Sequence, residues 1–432
     1  MMKKVYEMVN ETLYSEILPN GLTVYLLPKP GFHKTYGLFT TDYGSIDNRF
    51  IPLGEEEFIT VPDGIAHFLE HKMFEKETGD VFQDFGKQGA SANAFTSFTK
   101  TSYLFSATDN IDLNVTTLLD FVQAPYFTAE SVNKEKGIIG QEIQMYQDDP
   151  NWRQFFGIIN NLYPEHPLHI DIAGTVESIA EITAEDLYTC YNTFYHPSNM
   201  KLFVVGNIDP DNMMTLIKEN QAGKKFATPQ PIKREFPAET LTDIKKVDRL
   251  EMPVARAKGI LGIKMLTADL PTDNKELLRF KTAASLLWQL LLGTTSKNYL
   301  RLYDEGVIDD TFGYEFNLDR TFCFADFGGD SDKPAELTKA VKEILLDYGE
   351  DEEINEANLS LLKKRMLGKF FQSLNSLEYI ANQFNQNLFG ELTLFDLPQI
   401  IQSITLEDIY TCGQRLINAD AMSEFFMYPK GE

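Results

Sequence analysis

Several things are scarce in this 432-residue chain, and each scarcity excludes something. Cysteine comes first: Cys190, Cys323 and Cys412 are far apart in sequence and form no paired spacing. Neither a disulfide framework nor a thiolate zinc cluster is expected. Basic residues are outnumbered, 39 Lys and Arg against 64 Asp and Glu, for a formal charge of −25. That balance argues against a nucleic-acid or anionic-membrane surface and permits a basic polypeptide ligand. Long apolar runs are missing as well. The most apolar helical stretch, residues 283–292, is too short to span a bilayer. The opening MMKKVYEMVNETLY has a basic start with no apolar core behind it, unlike a secretory signal. The expectation is a cytoplasmic protein with no membrane and no nucleic-acid partner.

What remains is ordinary globular composition, 43% hydrophobic and 24% charged. At roughly 150 residues per domain, the length suggests two or three domains. An internal echo sharpens this. Ile182-Thr183-Ala184-Glu185-Asp186-Leu187-Tyr188-Thr189-Cys190 recurs as Ile404-Thr405-Leu406-Glu407-Asp408-Ile409-Tyr410-Thr411-Cys412, with seven of nine positions equal. Each copy reads as a capped helix start, with a Thr cap and an Asp three residues on. Capped starts resemble one another in any case, but the offset is close to half the chain, which favours two similar halves. Residues 223–247, with Pro229, Pro231 and Pro237 among six lysines and arginines, read as a linker. The expected division is an N-terminal domain 1–222 and a C-terminal domain 248–432.

Local patterns mix strands and helices without strict alternation, so the expected class is α+β. Residues 21–27 and 34–43 read as strands, and 91–107 as extended chain. Residues 63–74 read as a helix capped by Asp63 and buried through Ile65, Phe68 and Leu69. A second helix covers 129–147 and stops before Pro150. Further on, 258–265 is strand-like, 274–292 a strong helix, 312–327 extended, and 335–346 and 354–375 helical.

There are 6 histidines, none after His196. Two of them form His67-Phe68-Leu69-Glu70-His71. On a helix, positions i and i+4 share a face, so both imidazoles reach one metal, and Glu70 leans over the same face. There it can take a proton from a water that the metal has acidified. This is the inverted order, His-x-x-Glu-His, of zinc peptidases. A catalytic zinc site needs a third ligand and an open position. Glu142 is the candidate, on a separate helix where Glu135 precedes it by two turns on one face. Such a pair is also what a solvated acidic helix face shows. His166 and His169 lie in a proline-broken loop, and His33 and His196 lack companions at ligand spacing.

With these residues in place, the chain resembles the insulinase, pitrilysin and mitochondrial processing peptidase family over its whole length. The wording Pro62-Asp63-Gly64-Ile65-Ala66 and Phe194-Tyr195-His196-Pro197-Ser198-Asn199 is similar to the bacterial YmfH-type subgroup, associated with 5-aminopentanol modification of elongation factor P. The resemblance implies two homologous mixed α/β-sandwich halves enclosing a chamber. It implies Zn2+ held by His67, His71 and Glu142, Glu70 as general base, and Glu135 as a carboxylate orienting a ligand such as His71. Asn93 and Ala94, in Asn93-Ala94-Phe95-Thr96, would begin the strand edge that receives a peptide; Asn93 also reads as a plain turn or strand-start asparagine.

One stretch departs from the family pattern. Complete members carry an Arg and a Tyr in the second half, and here Tyr303 and Asp309 stand in those places. An acidic residue repels an oxyanion. The expectation is a zinc-dependent metalloendopeptidase subunit whose homologous partner supplies the Arg and Tyr. The rivals are a non-catalytic zinc-stabilised adaptor and a factor processing a modified translation factor.

Overall fold

The computed structural model describes residues 1–386 and 390–431. The chain opens with strands β1 (Met2–Tyr6), β2 (Glu11–Ile17), β3 (Thr23–Pro28) and β4 (Thr35–Thr41), then a ribbon of β5 (Arg49–Phe50) and β6 (Ile59–Thr60). Helix α1 (Ile65–Met73) follows, then a second ribbon, β7 (Glu75–Lys76) and β8 (Gly79–Asp80), and helix α2 (Val81–Lys87). A hairpin, β9 (Ala90–Thr96) and β10 (Thr101–Ala107), leads into α3 (Ile111–Val122), α4 (Ala129–Asp148) and α5 (Pro150–Leu162). Helices α6 (Val176–Glu181) and α7 (Ala184–Phe194), strand β11 (Met200–Gly206) and helix α8 (Pro210–Ala222) complete the first half.

The second half repeats much of this order. It runs β12 (Val247–Met252), β13 (Lys258–Met265), α9 (Asn274–Leu292), α10 (Lys297–Asp304), β14 (Gly313–Asp319) and β15 (Phe322–Asp330). Then come α11 (Pro334–Leu346), α12 (Glu356–Ser373), α13 (Leu377–Gln386), α14 (Leu397–Ser403), α15 (Leu406–Leu416) and β16 (Met422–Pro429). The sheets match accordingly. One has the order β1-β2-β3-β11-β4-β10-β9, the other β12-β16-β13-β15-β14. The last five strands of the first and all five of the second share one plan: two neighbours parallel, β3 with β11 and β12 with β16, and the rest antiparallel.

The nine-residue echo opens α7 and α15. In both, the Thr hydroxyl accepts from the Asp backbone N–H and the Asp carboxylate accepts from the Thr N–H, at 3.2 and 2.9 Å in α7 and 3.3 and 2.7 Å in α15. Two orphan donors are satisfied reciprocally at each start. Cys190 and Cys412, seven residues on, are both buried and unpaired.

Packing divides the chain differently from covalent order. One compact unit comprises Met1–Gln144, Ile170–Glu235 and the segment from Ser373 that carries α13; the other holds Met145–His169, Phe236–Gln372 and the C-terminal segment carrying α14, α15 and β16. Each sheet thus takes one covering helix from the other copy of the repeat. In the second unit α5 lies tight on its sheet: a Cβ on Gly262 of β13 would fall 2.6 Å from Ile158 Cγ1, and one on Gly157 2.4 Å from Phe425. In the first unit Phe384 of α13 stacks on Phe203 of β11, with centroids 4.4 Å apart. A cut at residues 222–248 leaves both helices with their covalent neighbours; apolar burial assigns them to the sheets they cover.

Helix α1 departs from its sequence reading in two ways. The residue capping its N-terminus is Gly64, at φ 85°, and Asp63 gives no cap bond but accepts from Asn48 Nδ2 at 3.1 Å. The cause is a close approach, since a Cβ on Gly64 would lie 2.3 Å from the Ala173 carbonyl oxygen. The helix is also buried on almost every side, including Lys72, which is fully buried and paired with Glu75. It is a core helix, and the polar residues on it are held away from bulk water. Among the described residues, no helix is long and apolar enough to cross a membrane.

Candidate metal centre

Because α1 is buried, His67 and Glu70 are each only 8% exposed. Their rows on the helix follow from spacing: His67 and His71 are one turn apart, with ring centroids separated by 4.6 Å. Helix α4 lies opposite. It buries Val132, Ile139 and Ile143, and this apolar row carries Glu135 and Glu142 into the same space. Glu142 Oε1 is 3.6 Å from His67 Nε2, and Oε2 is 3.5 Å from His71 Nε2. Ligand atoms of all three residues lie within 4.8 Å of one another.

Those separations suit a metal. Bonds of about 2.0–2.2 Å at a tetrahedral angle place ligand atoms roughly 3.4 Å apart. The donor chemistry fits too. His71 Nδ1 is 3.1 Å from Glu135 Oε1, so with the proton on Nδ1 donated to that carboxylate, Nε2 turns a lone pair toward Glu142. Lone pair then faces carboxylate, an arrangement that a cation relieves. Zn2+ bound by two imidazoles and one carboxylate is the common catalytic set.

The titration of the groups follows their surroundings. Burial, reinforced by the charge of His71, pushes His67 down to about 4, so it is neutral and ready to ligate. Burial also works to lower His71, but its bond to Glu135 and the carboxylates of Glu70 and Glu142 outweigh that and raise it. Burial raises Glu70 to about 7, against a lowering by the Thr96 hydroxyl, which donates to Glu70 Oε2 at 2.6 Å. For Glu135, burial is outweighed by the His71 bond and nearby cations, and its value falls.

The structure therefore brings His67, Glu70, His71, Glu135 and Glu142 together. Asn93 and Ala94 are on β9, the outer strand of the sheet. Asn93 is exposed, and its side-chain oxygen accepts from the Ala94 N–H at 2.9 Å. Thr96, at the end of the same strand, ties that edge to α1 through Glu70. The sequence reading quoted Thr96 only as part of a segment; a threonine in an extended run gives no sign of its partner. The remaining histidines serve elsewhere. His196 bonds to Ser198 and the Ala227 carbonyl, and buried His166 stacks on Phe236 with planes 9° apart. Tyr303 is exposed, and Asp309 is engaged by Arg256 and by Thr311.

Comparison with known proteins points to one family. A family model described as insulinase (peptidase family M16) matches residues 61–176, and one described as peptidase M16 inactive domain matches 181–366. The uncharacterized zinc protease YmfH of Bacillus subtilis is 52% identical over 427 residues, 98% of each chain. A crystal structure of an M16-like protein from Alicyclobacillus acidocaldarius is 38% identical, with TM-score 0.91 over 97% of this chain and 99% of that one. A protease from Helicobacter pylori, at 19% identity, shares the fold with TM-score 0.81, covering 96% of this chain and 99% of its own.

Proposed function

Since the chain belongs to the insulinase family of peptidases, M16, we propose that it is a zinc-dependent metalloendopeptidase acting on peptides or small unfolded polypeptides. The observation that carries the reading is the convergence of His67 Nε2, His71 Nε2 and both Glu142 oxygens beside Glu70. In this reading His67, His71 and Glu142 hold the zinc, and Glu135 orients His71 and keeps its proton on Nδ1. Bound zinc supplies a Lewis acid and brings the pKa of a water to about 7.

The chain's own groups do the rest. Glu70 sits in a dry setting where a carboxylate takes a proton readily, and it returns that proton to the leaving amine. Three carboxylates around two imidazoles also suit a divalent cation, whose charge would draw Glu70 back toward its ionised form. Asn93 and Ala94 mark the free edge of β9, where an extended peptide can add as a strand through backbone bonds.

The same proposal includes a homologous partner subunit. Tyr303 and Asp309 stand where complete members have Arg and Tyr, and the Asp309 carboxylate is occupied by Arg256. Asp309 furnishes no donor for a developing oxyanion, and Tyr303 brings a hydroxyl but not the fixed positive charge of an arginine, so the partner supplies the pair. The test is zinc content and peptide cleavage for the chain alone and with whatever copurifies, compared with Glu70→Gln. The expected result is one zinc per chain in both forms, feeble cleavage alone, strong cleavage with the partner, and none with Glu70→Gln. Loss of zinc-dependent cleavage from every preparation would leave an adaptor role, and vigorous turnover by the isolated chain would remove the partner.

A further inference from the structure

The repeat gives the second unit a place equivalent to the metal centre of the first. Where the first has α1, α4 and edge strand β9, the second has α9, α12 and edge strand β14. Residues of these elements line a cavity of about 450 Å³. Ser285 and Gln289 of α9 face it, four residues apart as His67 and His71 are on α1. Arg365 and Lys369 of α12 face it in turn, on the helix that corresponds to carboxylate-bearing α4. Tyr314 of β14 joins them, and the lining contains no Asp, Glu or His. Metal ligands in one copy are thus replaced by cations and neutral hydrogen-bond donors in the other.

The charges in this cavity are also unanswered. The chain carries 25 more acidic than basic residues, and several cations of this unit find carboxylates: Arg256 with Asp309, Arg279 with Asp408, Lys258 with Asp330. Among the described residues, neither Arg365 nor Lys369 makes an ion pair or a hydrogen bond. Like charges one helical turn apart repel, so an anion between them is stabilising. Burial raises the Tyr314 hydroxyl to about 12, against a pull downward from Arg365, so it remains a donor at neutral pH.

From this geometry we infer that the cavity framed by α9, α12 and β14 binds an oxyanion, with Arg365 offering a two-toothed fork, Lys369 a point charge and Tyr314 a hydroxyl. A guanidinium fork matches two oxygens of one carboxylate or phosphate, and the ammonium adds charge without demanding geometry. The inference does not depend on a metal in the first unit.

Calorimetric titration of the full chain at low ionic strength, with inorganic phosphate in one arm and succinate in the other, tests it. The expected result is saturable binding of one anion per chain in at least one arm, and the arm that binds identifies the source as phosphate or carboxylate. Arg365→Ala combined with Lys369→Ala, both at exposed positions, should weaken binding by about tenfold or more. Tyr314→Phe keeps the ring and should weaken it by about threefold. Lys364→Ala, on the same helix but outside the lining, should leave it unchanged. Absence of saturable binding in both arms, or an equal loss with Lys364→Ala, overturns the inference, as does full affinity in the double variant.

Discussion

The Thr96 hydroxyl donates to Glu70 Oε2 at 2.6 Å, joining the last residue of the sheet's edge strand to the proposed general base on a buried helix. The bond does two things to a carboxylate that is otherwise desolvated. It fixes the rotamer, and it works against the rise in pKa that burial imposes. In the proposed mechanism Thr96 is thus a positioning residue.

Thr96→Val keeps the branched shape and removes only the hydroxyl. Losing a hydrogen bond to a charged group costs about 1.5–3 kcal/mol, so kcat should fall by about tenfold or more. Zinc content should stay at the wild-type level, and KM should move by less than about twofold. Steady-state kinetics on a fluorogenic peptide, with metal analysis of the same samples, reads both; a change confined to KM would show that Thr96 acts on the substrate and not on Glu70.

The Glu135–His71 bond leads to a different signature. Glu135→Gln leaves a neutral partner that no longer favours the Nδ1 proton, and outer carboxylates of this kind typically contribute about 10–100-fold to metal affinity. Competition against a chelator should show a loss in that range, whereas Glu142→Ala, which removes a proposed ligand, should abolish stoichiometric zinc. Equal retention of metal by all three proteins would contradict the assigned ligand set.

Much of this was legible in the sequence, and the reason differs from part to part. The i, i+4 histidines were readable because helix periodicity alone fixes their common face. The second carboxylate helix was readable as a face, but its approach to α1 depends on which buried rows mesh, Val132, Ile139 and Ile143 on one side, and no local pattern encodes that. The duplication was visible through nine residues whose capping chemistry tolerates little change. The exchange of α5 and α13 between sheets was invisible, because the pattern of a helix is the same whichever sheet it covers. Asp63 misled as a cap for a related reason: a close approach to Ala173, distant in sequence, handed the position before α1 to Gly64.

That approach makes Gly64→Ala a sharp probe of the scaffold. The backbone there is in the left-handed region, and the added methyl would sit 2.3 Å from a carbonyl oxygen, so α1 must shift or the turn must unwind. The expected cost is about 2–4 kcal/mol, read as a fall in the unfolding midpoint by denaturant titration. Zinc affinity should fall with it, since His67 and His71 ride on the displaced helix. An unchanged midpoint would mean that the Gly64–Ala173 contact relaxes freely.

The second unit stores a pH effect at Asp326. This carboxyl is 8% exposed, its Oδ2 has no hydrogen-bond partner, and it lies directly across from Glu315 on the neighbouring strand. Burial pushes it up to about 7, and Glu315 pushes the same way. The folded form therefore prefers the protonated acid, whereas the unfolded chain ionises near the usual value of about 3.9. Stability from this group is complete below about pH 4 and is lost as pH rises through about 7. Asp326→Asn cannot ionise, so it should be more stable than the parent by about 1–3 kcal/mol near pH 8 and should converge with it below about pH 4. Denaturant titrations across that range measure both ends. A variant no more stable than the parent at the alkaline end would mean that Asp326 is already paired or hydrated in solution.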